Sequence, residues 1–144
     1  MVEQDTIKLL RECDAGVKMG ISSIYEVLDD VNNIELKECL EDCKRKHEEL
    51  QDEIEIALQD YQDDGKEPNI MAKGMSWLKT NVMIAAKNPD NAVADLVTDG
   101  CNMGVKSLNK YLNQYTAADE RSKDIAKRLI NIEEKLAMNI RRFL

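Results

Sequence analysis

Four segments of this chain carry core-type residues at alternating spacings of four and three. In the second they read Leu36, Leu40, Cys43, His47, Leu50, Ile54, Ala57 and Tyr61. That spacing draws one seam along a helix, which is buried only if other helices run beside it. The first segment supplies Leu10, Asp14, Val17, Ile21, Ile24, Leu28 and Val31, and the third Ala94, Thr98, Cys101, Val105, Leu108, Leu112 and Tyr115. The fourth supplies Ser122, Ala126, Leu129, Glu133, Leu136, Ile140 and Phe143. The expected fold is all-α, a four-helix bundle of two antiparallel hairpins in a single domain. Only two prolines and six glycines interrupt the 144 residues, which suits long helices.

Local signals set the boundaries. Asn32 and Asn33 make a short turn, so the first two helices form hairpin 1 over about residues 3–62. Gly65 and Pro68 then punctuate the chain. Pro89 suits a first helical turn and Asp90 complements its positive end, opening hairpin 2 over about 90–144. Thr116 and the acids after it supply capping chemistry for the fourth helix. The stretch between the hairpins is too long for a bundle turn and too apolar for a flexible linker. Ile70, Trp77, Leu78, Met83 and Ile84 suggest a shorter fifth helix over about 70–87, anchored by Trp77.

Charge excludes some functions. A net charge of −8 and few aromatics argue against a nucleic-acid partner, which requires a basic face and stacking platforms. No apolar run approaches the roughly 18 residues that cross a bilayer, so no membrane role is expected. The N-terminus shows no secretory pattern. Four cysteines are therefore read as reduced thiols of a cytoplasmic protein.

The two halves repeat. "GVKMGISSIYEVL" matches "GCNMGVKSLNKYL", pairing Gly16 with Gly100, Met19 with Met103, Gly20 with Gly104 and Ser23 with Ser107. Further on, Leu50 pairs with Leu136, Ile54 with Ile140, and His47 with Glu133. Two related hairpins joined by a long crossover resemble the ferritin-like superfamily, in particular its bacterial bundles with a short helix in the crossover. The resemblance covers nearly the whole chain and implies the fold. It also implies where a di-iron site would stand, with one glutamate from each of two helices and Glu-x-x-His from each of the others. The matching tetrapeptides here are Lys44-Arg45-Lys46-His47 and Ile130-Asn131-Ile132-Glu133. Both motif glutamates and one histidine are missing, which argues against ferroxidase or oxygenase chemistry.

Four polar residues nonetheless fall on core seams: Asp14, His47, Thr98 and Glu133. Each would cost about 1–3 kcal/mol if buried without a partner. If the second and third helices run parallel, counting from the turns brings Asp14 level with Glu133 and Thr98 level with His47. A simple up-down-up-down bundle pairs His47 with Glu133 instead. His47 is expected to be a neutral core residue with satisfied ring nitrogens, and Asp14→Leu to be tolerated. Cys39, Cys43 and His47 share a face, where adjacent members could share an ion, but together they span about 12 Å and cannot act as one site. The four paired glycines imply close approach of another helix, either between the first and third helices or by the crossover.

The resulting expectation is a non-catalytic bundle acting through self-association as a homodimer, or through a protein partner, with an apolar interface near Met71, Met75 and Met83. The alternative is a divergent iron- or manganese-binding or redox protein using Asp14, His47, Glu133 and Glu12. A third reading, a peptide-binding adaptor, requires a groove between helices. No nucleophile–base pair, phosphate loop or zinc motif supports a hydrolase or transferase.

Overall fold

The structure, a computed structural model, describes residues 2–66 and 88–144. The expected crossover helix, Trp77 and the Met71, Met75 and Met83 patch lie outside the described residues. Within them there are four long helices and no strand: α1 (Val2–Val27), α2 (Ile34–Gln59), α3 (Pro89–Gln114) and α4 (Glu120–Asn139). Short 3₁₀ turns, Leu28–Asp30 and Arg141–Phe143, follow α1 and α4. No described helix is long and apolar enough to cross a membrane.

Capping explains where the helices begin. Asn33 accepts from the Glu35 and Leu36 amides at 2.8 and 3.1 Å, satisfying donors that have no partner inside the helix. Asn88 does the same for Asn91 at 3.2 Å, with Pro89 in the first turn as its fixed φ favours. The cap of α4 is Asp119, which accepts from Ser122 N at 2.8 Å, while Thr116 stands exposed outside the helix. Beyond α2, Gln62 and Gly65 adopt positive φ and the helix cannot continue.

Hydrogen bonds at the two ends fix the direction of each helix. At one end Asp90, in the first turn of α3, accepts from Asn32 N and Asn33 N of the α1–α2 turn at 2.7 and 3.0 Å. At the other, Asp5 and Thr6 near the start of α1 accept from Ala117 N and Asp119 N of the α3–α4 turn at 3.0 and 2.8 Å. So α1 and α4 run one way and α2 and α3 the other. The packed pairs α1 with α2, α3 with α4, α2 with α4, and α1 with α3 are antiparallel, while α1 also packs against α4 in parallel.

The core divides into two apolar clusters. One, near the start of α1, gathers Leu9, Leu10, Val17, Leu50, Ile54, Leu108, Ile125 and Leu129. The other, near the α1–α2 turn, gathers Ile24, Val27, Leu36, Leu40, Val93, Leu136 and Ile140. Repeat-related residues sit in opposite clusters, Leu50 against Leu136 and Ile54 against Ile140. An approximate two-fold axis perpendicular to the helices therefore relates the hairpins, exchanging α1 with α3 and α2 with α4.

A closed polar layer at the centre of the bundle

Between the two clusters lies a polar layer built around His47, which is 1% exposed. Its position on α2 follows from the seam, since every seam residue from Leu36 to Ala57 is buried. The ring faces two acceptors. Nδ1 lies 2.8 Å from the Cys43 carbonyl oxygen, one turn earlier, and Nε2 lies 2.7 Å from Glu133 Oε1 on α4. A carbonyl can only accept, so Nδ1 carries a proton. The carboxylate then draws a second proton to Nε2, making an imidazolium–carboxylate pair. Burial pulls the imidazolium down. The ring's hydrogen bonds to Cys43 and Glu133 and the Glu133 charge outweigh it and leave the group pushed up from 6.5 to about 10. His47 is thus hydrogen-bonded in the core as its seam position implies, but charged where a neutral ring was expected.

The rest of the layer comes from α3 and α1. The Cys101 thiol donates to Glu133, and burial first, then the Glu133 charge and that bond, push it upward. Such a thiol stays protonated and unreactive at neutral pH. On α1, Gly20 faces the imidazole so closely that an added methyl group would lie 2.6 Å from Nε2 and 2.7 Å from Cδ2. This is one glycine whose place is explained by a close approach, and the approaching group is a side chain of α2, not the α3 backbone. Its repeat Gly104 faces Glu133 at an ordinary 3.9 Å, and Gly16 faces Leu129 at 3.7 Å. Nothing lies within 4 Å of the position a methyl would take at Gly100.

The His47–Glu133 pairing is the one expected for an up-down-up-down bundle, although the helix directions are those of the other alternative. Helices α2 and α3 are parallel, yet His47 bonds Glu133 and not Thr98. The reason is that the α1–α2 and α3–α4 turns lie at opposite ends of the bundle. Equal counts from opposite ends coincide only near the middle, where the two-fold axis also brings a residue against its own repeat equivalent. His47 and Glu133 are such equivalents. Thr98 is half-buried, and its hydroxyl has no hydrogen-bond partner among the described residues.

Asp14 lies elsewhere. It is 1% exposed, and its Oδ2 accepts from Lys18 Nζ and from the Lys66 amide, both at 2.9 Å. Its Oδ1 is buried and without a partner among the described residues. Gly65, at φ +87°, lets the chain after α2 pass against this carboxylate where a side chain would collide with it. Glu12 accepts from Lys66 Nζ at 2.6 Å and from the Tyr111 hydroxyl. Asp14 and Gly20, the latter level with His47, are separated by about 9 Å along α1. The four carboxylate and imidazole residues considered as a metal set are therefore divided, with Asp14 and Glu12 at a lysine-rich end and His47 with Glu133 at the centre. Among the described residues no group of three or more His, Cys, Asp or Glu side chains is placed to hold a metal. Sequence reasoning missed Cys101 and Gly20 as members of the central layer. Their seam and repeat positions were visible, but not which side chain they would meet.

A cleft of about 250 Å³ opens between α2 and α4. Leu50, Ile132 and Leu136 form its floor, and Asp42, Lys46, Arg128 and Lys135 are among its rim residues. Near its edge Arg128 joins the helices, donating from Nη1 and Nη2 to the two oxygens of Glu53 at 2.8 Å. Comparison with family models, curated proteins and solved structures found no match to this chain.

Proposed function

We propose that this chain is a ferritin-like bundle without a catalytic role that acts through association, with a second copy of itself or with another protein. The observation that carries this reading is the commitment of its sole imidazole. Both ring nitrogens are held by Cys43 and Glu133, and Gly20 closes the ring in from α1. A buried ion pair of this kind adds little net stability but specifies which helix faces meet, a role in setting register. The ferritin-like layout is supported by the parallel course of α2 and α3 and by the two-fold relation of the hairpins. The large apolar side chains left in water, among them Tyr25, Ile34, Ile56, Met103 and Met138, are the surface such association would draw on. Four free cysteines suit a reducing compartment such as the cytoplasm.

The test combines mass and metal. Light scattering across a concentration series should show species heavier than the 16.4 kDa chain, alone or with its partner, and isolated protein should carry no stoichiometric iron or manganese. Stoichiometric iron or manganese that disappears in His47→Ala would overturn the reading. So would a strictly monomeric chain that forms no complex.

A further inference from the structure

Cys39 and Cys43 stand one turn apart on α2, and both line the open cleft between α2 and α4. Residues at this spacing have Cβ atoms about 5–6 Å apart, a gap two sulfur atoms can close around a single ion. We propose that Cys39 and Cys43 form a two-coordinate bis-thiolate site for copper(I). The inference is independent of the association reading.

Ligand type and number both select the ion. Thiolates prefer soft cations, copper(I) above all among those of the first row. Structural zinc demands four ligands, and among the described residues no third His, Cys, Asp or Glu joins this pair. His47 Nδ1 lies 3.4 Å from Cys43 Sγ, but its proton is directed at the Cys43 carbonyl and it has no lone pair to offer. What remains is a site for an ion content with two sulfurs. Binding exchanges two thiol protons for one Cu⁺, leaving a bis-thiolate of charge −1. Lys46, Arg128 and Lys135 line the same cleft together with Asp42, Glu49 and Glu53, so its lining is electrically balanced, with Lys46 held by Asp42 at 3.1 Å. Cys39 is half-buried and reachable, and Cys43 is met from the cleft side. The other two thiols are unsuited. Cys13 is 0% exposed in the apolar core, pushed up by burial and by Glu12 and Asp14 to about 12, and Cys101 is spent on Glu133.

Anaerobic competition of the reduced protein against bathocuproine disulfonate for copper(I) tests this. The unaltered chain and Cys101→Ser should each retain one copper(I) per chain. Cys39→Ser should lose more than about 100-fold in affinity, beyond what an outer-shell change costs. Circular dichroism should show Cys39→Ser folded, since the position is half-buried, and X-ray absorption of the copper form should show two sulfur neighbours and no nitrogen. The proposal is overturned if the unaltered chain yields all its copper to the competitor, or if Cys39→Ser binds as tightly as the parent.

Discussion

Removing Glu133 from the central layer should be among the most damaging single changes in this chain. Glu133→Leu leaves the His47 imidazolium facing leucine with only the Cys43 carbonyl as partner. Raising that group from 6.5 to about 10 corresponds to about 5 kcal/mol, at about 1.4 kcal/mol per tenfold change in affinity for the proton. The Cys43 share of that shift survives in the variant, and the Glu133 side chain is 13% exposed, so only part of this is lost. The expected cost is about 3–5 kcal/mol, the range for breaking a buried pair by removing one partner. That is a large share of the 5–15 kcal/mol a domain usually has. His47→Leu should cost less, because Cys101 still donates to Glu133 and water reaches it. The double variant, with two leucines in similar volume, should return to within about 1–2 kcal/mol of the parent. Urea denaturation followed by circular dichroism measures all four corners of the cycle. If each single variant costs under about 1 kcal/mol, or the double costs the sum of the singles, the two groups do not form the pair described here.

Three further outcomes follow from the same geometry. The His47 imidazolium is raised in the folded state, so its contribution is full below pH 6.5 and lost as pH climbs towards about 10. Parent stability should decline through that window, with the buried thiols adding their own loss above about pH 9, and His47→Gln should flatten the decline in denaturation curves taken from pH 6 to 9. Gly20→Ala should lower the melting temperature, because overpacking against His47 at about 1–3 kcal/mol exceeds the helix propensity gained; Gly100→Ala, with open space, should raise it by up to about 1 kcal/mol equivalent. Asp14→Leu should destabilise by about 1–3 kcal/mol in urea melts, since it strands the Lys66 amide; a neutral result would restore the tolerance that the seam pattern alone suggests.

The helices themselves were legible because each seam repeats a spacing that only a packed helix can use. On α2 every seam position through Ala57 is buried, with Tyr61 half-buried just beyond the helix end. On α1 burial spreads to Thr6, Leu9 and Cys13 beside the seam, because that helix packs against all three others and hides a wider face. The central site was legible in part. Core placement of His47 and Glu133 follows from one-dimensional spacing, whereas their mutual bond depends on which ends of the bundle hold the turns. The charge of His47 depends on both neighbours being acceptors, one of them a backbone carbonyl that carries no sequence signal. The four glycines share one spacing, yet only Gly20 meets a ring, since its repeat partner faces a glutamate that extends away.

The most direct test of the closed layer uses the fact that the chain has one histidine, so its ring nitrogens give a single, unambiguous set of signals. Nitrogen-15 NMR of the folded protein at pH 8 should show both Nδ1 and Nε2 protonated, with exchange-protected ring protons and no titration near 6.5. A neutral ring at pH 8, or a titration midpoint at the ordinary 6.5, would contradict the imidazolium–carboxylate pair at the centre of the bundle.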